Sequence, residues 1–258
     1  MMSMQGLQSE HKQAKNLKQG LSVFVICKNE AHIIEQTLKQ AAKLADEIVV
    51  VDSGSSDGTL ELVHQFTQKI FRQEWLGYSK QKNLALSKCE YQWCLSLDAD
   101  EVLTDEAITE IQSIVQTNDS DQAYRIARKL FIGEEFIRWG GYYPDKQLRL
   151  FANGQARFND REVHESLQAE AGVKIVDLKS PLNHFAYKNL AELEKSFDNY
   201  ADLASHSKPA KSKGALKASF KYLYTLLNKL ILRLGVLQGS MGIKLAFMHA
   251  SYSYKKYI

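Results

Sequence analysis

Two apolar runs rich in β-branched residues, "LSVFVIC" (Leu21–Cys27) and "EIVVVDS" (Glu47–Ser53), set the tightest limit on how this chain can fold. Such runs suit strands covered on both faces, as in a parallel sheet flanked by helices. Between them, "EAHIIEQTLKQAAKLA" places Ile33, Ile34, Leu38, Ala41 and Ala42 on one helical face. The alternation continues. "SSDGTLELVHQF" reads as a turn and a helix with Asp57 at its N-cap, "KIFRQE" as a short strand, "YSKQKNLALSK" as a helix and "YQWCLSL" as a buried strand. "TDEAITEIQSIV" reads as a helix capped by Thr104, with acidic residues in the first turn where the helix dipole favours them. Successive strand–helix units predict an α/β fold, a mostly parallel Rossmann-like sheet with helices on both faces.

In such sheets ligands bind beyond the carboxyl ends of the strands. Three polar clusters fall there: Lys28-Asn29-Glu30, Asp52-Ser53-Gly54, and the pair Asp98 and Asp100. Two carboxylates one residue apart repel each other, and a divalent cation carrying a diphosphate relieves that repulsion. Hard oxygen ligands select Mg²⁺ or Mn²⁺. The plainer alternative, that these aspartates cap the next helix, duplicates what Thr104 already does. In "VDSGSSDGT" the small residues let the backbone approach a ligand, and Asp52 can accept a hydrogen bond from a base or a ribose hydroxyl. The same stretch would also serve as a simple turn.

From Ala123 the pattern changes to strands, "AYRIARKLFI", "KQLRLF" and "VKIVDL", separated by longer loops. The chain carries 33 Lys/Arg and 30 Asp/Glu. Ten of the basic residues and none of the acidic ones follow position 202, leaving 23 against 30 before it. An acidic body and a basic tail face different partners. Residues 1–20 are polar, without a signal-like apolar core, and are expected to form a flexible leader. Cys27, Cys89 and Cys94 form no CxxC pair and suit packed, reduced thiols in a cytoplasmic protein. No apolar run reaches the ~18 residues of a membrane span. The basic region is rich in Leu and Tyr and lacks a nucleic-acid-binding module, so no nucleic-acid partner is expected.

Taken in order, "VICKNE", "VVVDSGSSDGT", "GYSKQKNLAL" and "LSLDADE" resemble the inverting family 2 glycosyltransferases of the GT-A fold. A longer likeness, through "GGYYPDKQLRLF", "REVHESL", "LNHFAY" and "KYI", is similar to the bacterial lipopolysaccharide core β-glucosyltransferase subgroup. The resemblance implies a catalytic domain over 21–207, with a nucleotide-sugar half (21–120) and an acceptor half (121–207). It implies a UDP-sugar donor, glucose by the subgroup, and a lipid-linked core glycan as acceptor. Asp52 matches the position that contacts uracil, Glu30 flanks the nucleoside, and Lys82 matches a site near the nucleotide that is commonly Arg. Asp98 matches the carboxylate near the ribose, and Asp100 the direct metal ligand.

Inversion by single displacement needs one carboxylate to take the acceptor hydroxyl's proton. Glu165 matches the region of the family's base and Asp145 is the alternative; His164 beside Glu165 would orient that carboxylate or itself take part in the chemistry. His184 matches a downstream metal ligand of several GT-A enzymes, or serves structurally. Gln147 and Arg149 alternate on one strand face and resemble the Q-x-x-R-W element of processive relatives. Their spacing differs and the Trp is missing, which implies transfer of a single sugar. Arg149 would meet a phosphate or the acceptor, or form an ordinary surface ion pair.

Residues 208–258 are expected to form basic amphipathic helices. Lys217, Lys221, Thr225, Lys229 and Arg233 recur every four residues as a basic stripe for the anionic inner face of the cytoplasmic membrane. Three competing functions share features of this pattern: the same donor chemistry on another envelope glycan or protein, sugar-nucleotide binding without turnover, and a phosphatase whose first aspartate is phosphorylated. The last leaves "VDSGSSDGT" unexplained.

Overall fold

The computed structural model describes residues 16–159, 166–197 and 214–255. The expected leader ends earlier than predicted, because strand β1 (Lys18–Cys27) already includes Lys18, Gln19 and Gly20. Strands β2 (Glu47–Asp52), β3 (Ile70–Arg72) and β4 (Tyr91–Asp98) join β1 in the order β3-β2-β1-β4, every pairing parallel. Register brings Cys27 level with Asp52, Asp52 with Arg72, and Ile26 with Asp98. The polar clusters therefore do share one edge.

Helices cover both faces. α1 (Ile34–Ala41) and α4 (Asp105–Thr117) bury Ile34, Leu38, Ile108 and Ile111 against Val23, Val25, Leu95 and Leu97. α3 (Tyr78–Ser87) sets Ala85 in the opposite layer, with Phe24, Val49 and Phe151. Thr104 caps α4, its hydroxyl accepting from the Ala107 amide at 3.2 Å. α2 (Thr59–Val63) is only five residues long, and Asp57 accepts from the amide of Thr59.

Beyond β4 the sheet continues as β8 (Asp145–Ala152), β6 (Gln122–Ile132), β12 (Leu182–Tyr187) and β5 (Glu101–Leu103). β8 runs antiparallel to both of its neighbours, so the second half breaks the parallel pattern. β7 (Glu135–Phe136) and β11 (Lys174–Asp177) pair with β6, while β9 (Ala156–Phe158) and β10 (Leu167–Ala169) form a separate pair. Four strand spacings would set β4 and β5 about 19 Å apart in a flat sheet. Only Ala99 and Asp100 connect them, and the step from Asp98 to Glu101 reaches about 10 Å at most. The sheet must curl to bring β5 back to the end of β4.

A third core joins Ile132 and Ile137 to α5 (190–197) through Leu193 and to α7 (Gly239–Lys255) through Leu245. α6 (Ala215–Leu227) packs on α7, and a π-helical turn (Asn228–Leu232) and a 3₁₀ turn (Gly235–Gln238) join them. A Cβ on Gly235 would collide with the Lys229 carbonyl oxygen, and one on Gly242 with that of Gly235. Only glycine permits so close an approach.

The expected basic stripe is broken at Lys229. Its ammonium donates to the Gly140 carbonyl (2.8 Å) and sits 4.4 Å from the centre of the Tyr142 ring. The carbonyl acceptor and the π face offset the desolvation that a half-buried ammonium suffers.

His249 of α7 packs against the rings of Tyr142 and Phe197. Burial, aided by the charge of Lys229, lowers its pKa from 6.5 to about 4. A histidine held neutral when folded binds protons more readily once unfolded. Its contribution is complete above pH 6.5 and is lost as pH falls through about 4. Amide exchange in α7 is expected to accelerate relative to β1 across that interval, and His249→Phe to flatten the dependence.

Candidate active site

The donor-side loops are tied together by their own side chains. The Asn29 amide donates to Ser55 Oγ (2.9 Å), the Glu30 amide to Thr59 Oγ1 (2.8 Å) and the Ala31 amide to Asp57 (3.1 Å). Asp52 is fully buried, and its carboxylate accepts from the amides of Gly54 (2.9 Å) and Ser55 and from the Ser55 hydroxyl. Asp52 thus presents no open acceptor in this structure. An aspartate at a strand end is well placed to close a turn, and here it shapes the Ser53–Ser55 backbone. Gln81 of α3 supports the same turn by donating to Ser53 Oγ (3.0 Å).

The turn between β4 and β5 is held from both sides. Thr37 of α1 donates to the Ala99 carbonyl (2.7 Å), and the Phe185 amide of β12 donates to that of Asp100 (2.9 Å). The antiparallel register of β12 on β5 aligns His184 with Glu101 and brings His184 Nε2 within 3.3 Å of Asp100. Burial alone would lower the pKa of this imidazole, but the Asp100 carboxylate raises it above the ordinary value.

Asp98 points elsewhere. It lies 2.6 Å from Lys82 Nζ, 2.8 Å from Arg149 Nη2 and 3.8 Å from Arg128 Nη1. Burial would raise its pKa, yet Arg149, Lys82 and Arg128 hold it well below the usual carboxylate range. Glu101, with no exposed surface, takes Arg149 (2.5 Å) and Arg128 (3.1 Å) on one oxygen and accepts from the Asp98 amide with the other. Arg128 also reaches Asp145, which Gln147 contacts at 2.7 Å. Three acids and three bases thus interlock.

The expected metal set divides accordingly. Asp98 is saturated with cations and does not join Asp100 and His184. Among the described residues no three His, Cys, Asp or Glu side chains form a metal cluster. Asp100 and His184 still fit a divalent ion, because one carboxylate and one imidazole leave most coordination positions to substrate phosphates. Glu30 lies close enough to feel this site. Burial, then the charges of Asp100 and Asp57, raise its pKa to about 7.

The model of the family "Glycosyl transferase family 2" matches residues 22–168, more than half of the chain. The chain belongs to glycosyltransferase family 2. The lipopolysaccharide core biosynthesis glycosyltransferase LpsC of Rhizobium meliloti (strain 1021) is 34% identical over 165 residues, covering 59% of this chain and 58% of LpsC. An uncharacterized glycosyltransferase of Rickettsia bellii (strain RML369-C) is 38% identical over 177 residues, 66% of this chain and 60% of that protein. The chain therefore spans about six-tenths of the length of these relatives. Among solved structures, S. aureus TarS 1–349 in complex with UDP-GlcNAc aligns at 17% identity and a TM-score of 0.46, covering 90% of this chain and 79% of that one.

Against the family-based expectations, the acceptor half holds the surprises. Glu165 and its neighbour His164 lie outside the described residues. Asp145 is described: burial would raise its pKa, but Arg128 and Gln147 hold it below the ordinary value. Arg149 is neither a surface pair nor open to a ligand, being 5% exposed and locked to Asp98 and Glu101. Glu101 and Arg128 escaped sequence reasoning. The available signal was a third acid in "DADE" and a charge inside the apolar strand "AYRIARKLFI".

Removing one partner of such a cluster leaves an uncompensated buried charge. Arg149→Met is expected to cost about 3–5 kcal/mol of stability. Adding Glu101→Gln should recover part of that loss, read as non-additivity in denaturant melts of the single and double variants.

Proposed function

We propose that this chain moves a hexose, glucose by its subgroup, from a UDP-sugar to a lipid-linked glycan of lipopolysaccharide core type, inverting the anomeric centre by single displacement. The reading rests on one juxtaposition: Asp100 beside His184 at the ligand-binding edge of a family 2 sheet. Those two side chains would hold Mg²⁺ or Mn²⁺. When bound, that ion offsets negative charge on the departing diphosphate. Glu30 and the Ser53–Ser55 backbone, shaped by Asp52, flank the nucleoside. Lys82 keeps Asp98 ionised beside the ribose, where an anionic carboxylate is the better acceptor.

The acceptor hydroxyl must lose its proton as it attacks. A carboxylate with a depressed pKa is a weak base, and Asp145 is both depressed and paired with Arg128. Glu165 is therefore the base in this reading, with His164 orienting it, and Asp145 positions Arg128. The likeness to LpsC supports a core glycan as acceptor. A lipid-linked acceptor and the acid-free basic tail both support a setting at the anionic, cytoplasmic face of the inner membrane.

The test is UDP release from a panel of UDP-sugars with Mg²⁺ or Mn²⁺ in the presence of a core-type lipid acceptor. Asp100→Ala is expected to abolish release while leaving the melting temperature near wild type. Release from no UDP-sugar, or near-normal turnover by Asp100→Ala, overturns the reading.

The base makes a separate prediction. Glu165→Gln should lower kcat by about 10²–10⁴-fold with donor affinity retained. Asp145→Asn should lower it far less. The reverse order would exchange their roles.

A further inference from the structure

The outer face of the C-terminal helix pair is the largest feature that sugar transfer leaves unused. Leu216, Phe220, Leu223 and Leu227 of α6 fall within one narrow stripe at about 100° per residue, and all are exposed. Leu216 is 86% exposed and Phe220 74%. The stripe runs on into the joint between the helices, where Leu232 is 71% exposed and Leu237 59%. A soluble surface seldom carries so continuous an apolar band without a partner.

The occupant can be read from charge and length. No acidic residue follows position 202, and Lys217 and Lys221 lie along one flank of the stripe. That is the arrangement in which lysine arms cross apolar ground to reach lipid phosphates. Among the described residues no single helix is long and apolar enough to cross a membrane. The pair Ala215–Leu232 and Gly235–Lys255, bent by 70°, meets the criterion together. Crossing is nonetheless barred by the inner face. Leu245 is buried in the core with Ile132 and Ile137, and Lys229 and the Arg233 carbonyl bond the backbone of Gly140.

We infer that α6 and the joint to α7 enter one leaflet of the bilayer by their apolar face, and that α7 stays docked on the catalytic domain. This rests on the proposed membrane setting and changes its physics. With Lys229 turned inward, the apolar stripe carries the binding and the remaining lysines tune it. The joint is also fastened to the loop ahead of β8: Gln238 accepts from the Arg138 amide (3.0 Å) and donates to the Phe136 carbonyl (3.0 Å). The bilayer surface therefore lies beside the loop that leads into Asp145.

Flotation of the full chain with phosphatidylcholine vesicles, with and without phosphatidylglycerol, tests this. Wild type is expected to float with both vesicle types even in about 1 M NaCl, where charge attraction is screened within about 3 Å. Phe220→Ser with Leu232→Ser, two exposed positions changed without altering charge, should weaken partitioning by about a hundredfold. Lys217→Gln with Lys221→Gln should lower only the part that depends on anionic lipid. Binding confined to anionic vesicles at low salt overturns insertion in favour of surface attraction. A dimer that ignores vesicles, and that the serine variant converts to monomer, overturns it in favour of a second copy. UDP release in detergent is read on the same samples. Its absence would remove the transferase reading and leave the flotation result standing.

Discussion

Glu101 has no contact with solvent and carries two guanidinium groups on one carboxylate oxygen, and the architecture of the site depends on that arrangement. An isolated buried carboxylate is too costly to keep ionised, and an isolated buried arginine equally so. Each is tolerated because the others are present. Arg149 comes from β8 and Arg128 from β6, so the charges can meet only if those strands curl around the end of β4. The two-residue link from β4 to β5 demands the same curl. Connectivity and electrostatics thus impose one geometry, and within it Asp100 is left paired with His184.

This division of labour clarifies the paired aspartates. One carboxylate is neutralised by the protein itself and anchors cations. The other keeps a single histidine partner and so retains capacity for a ligand. Had both been free, their mutual repulsion would have raised the pKa of one of them and weakened it as an anion. Had Asp100 been surrounded by cations in the same way, it would be a poor partner for a metal ion.

The donor half was legible in the sequence because its signals are local. Buried parallel strands declare themselves as unbroken runs such as "EIVVVDS", helices as a period, and strand ends as abrupt polarity. The meeting of His184 with Asp100, by contrast, depends on the pairing of β12 with β5 across some eighty residues, and no local pattern encodes it. Arg149 illustrates the same limit. Its alternation with Gln147 was readable, but a strand face can point to solvent or into a curl, and only the antiparallel placement of β8 between β4 and β6 decides which. Lys229 keeps a four-residue spacing and yet turns inward, because that spacing drifts by about 40° per step on a helix and carries Lys229 about 120° round from Lys217, to where Gly140 offers an acceptor.

The way α7 is seated bears on how the protein can be handled. Leu245, Met241 and Met248 help complete a core that also holds Ile132 and Ile137, from the sheet and the loop that follows it, and Leu193 of α5. Shortening the chain before α6 to gain solubility would uncover that core and trade one sticky surface for another. It would also release the Gly140 loop from the carbonyl of Arg233 and the ammonium of Lys229. A better-behaved protein is reached by polar replacement along the outer stripe of α6, which leaves the glycine-lined joint of Gly235 and Gly242 intact.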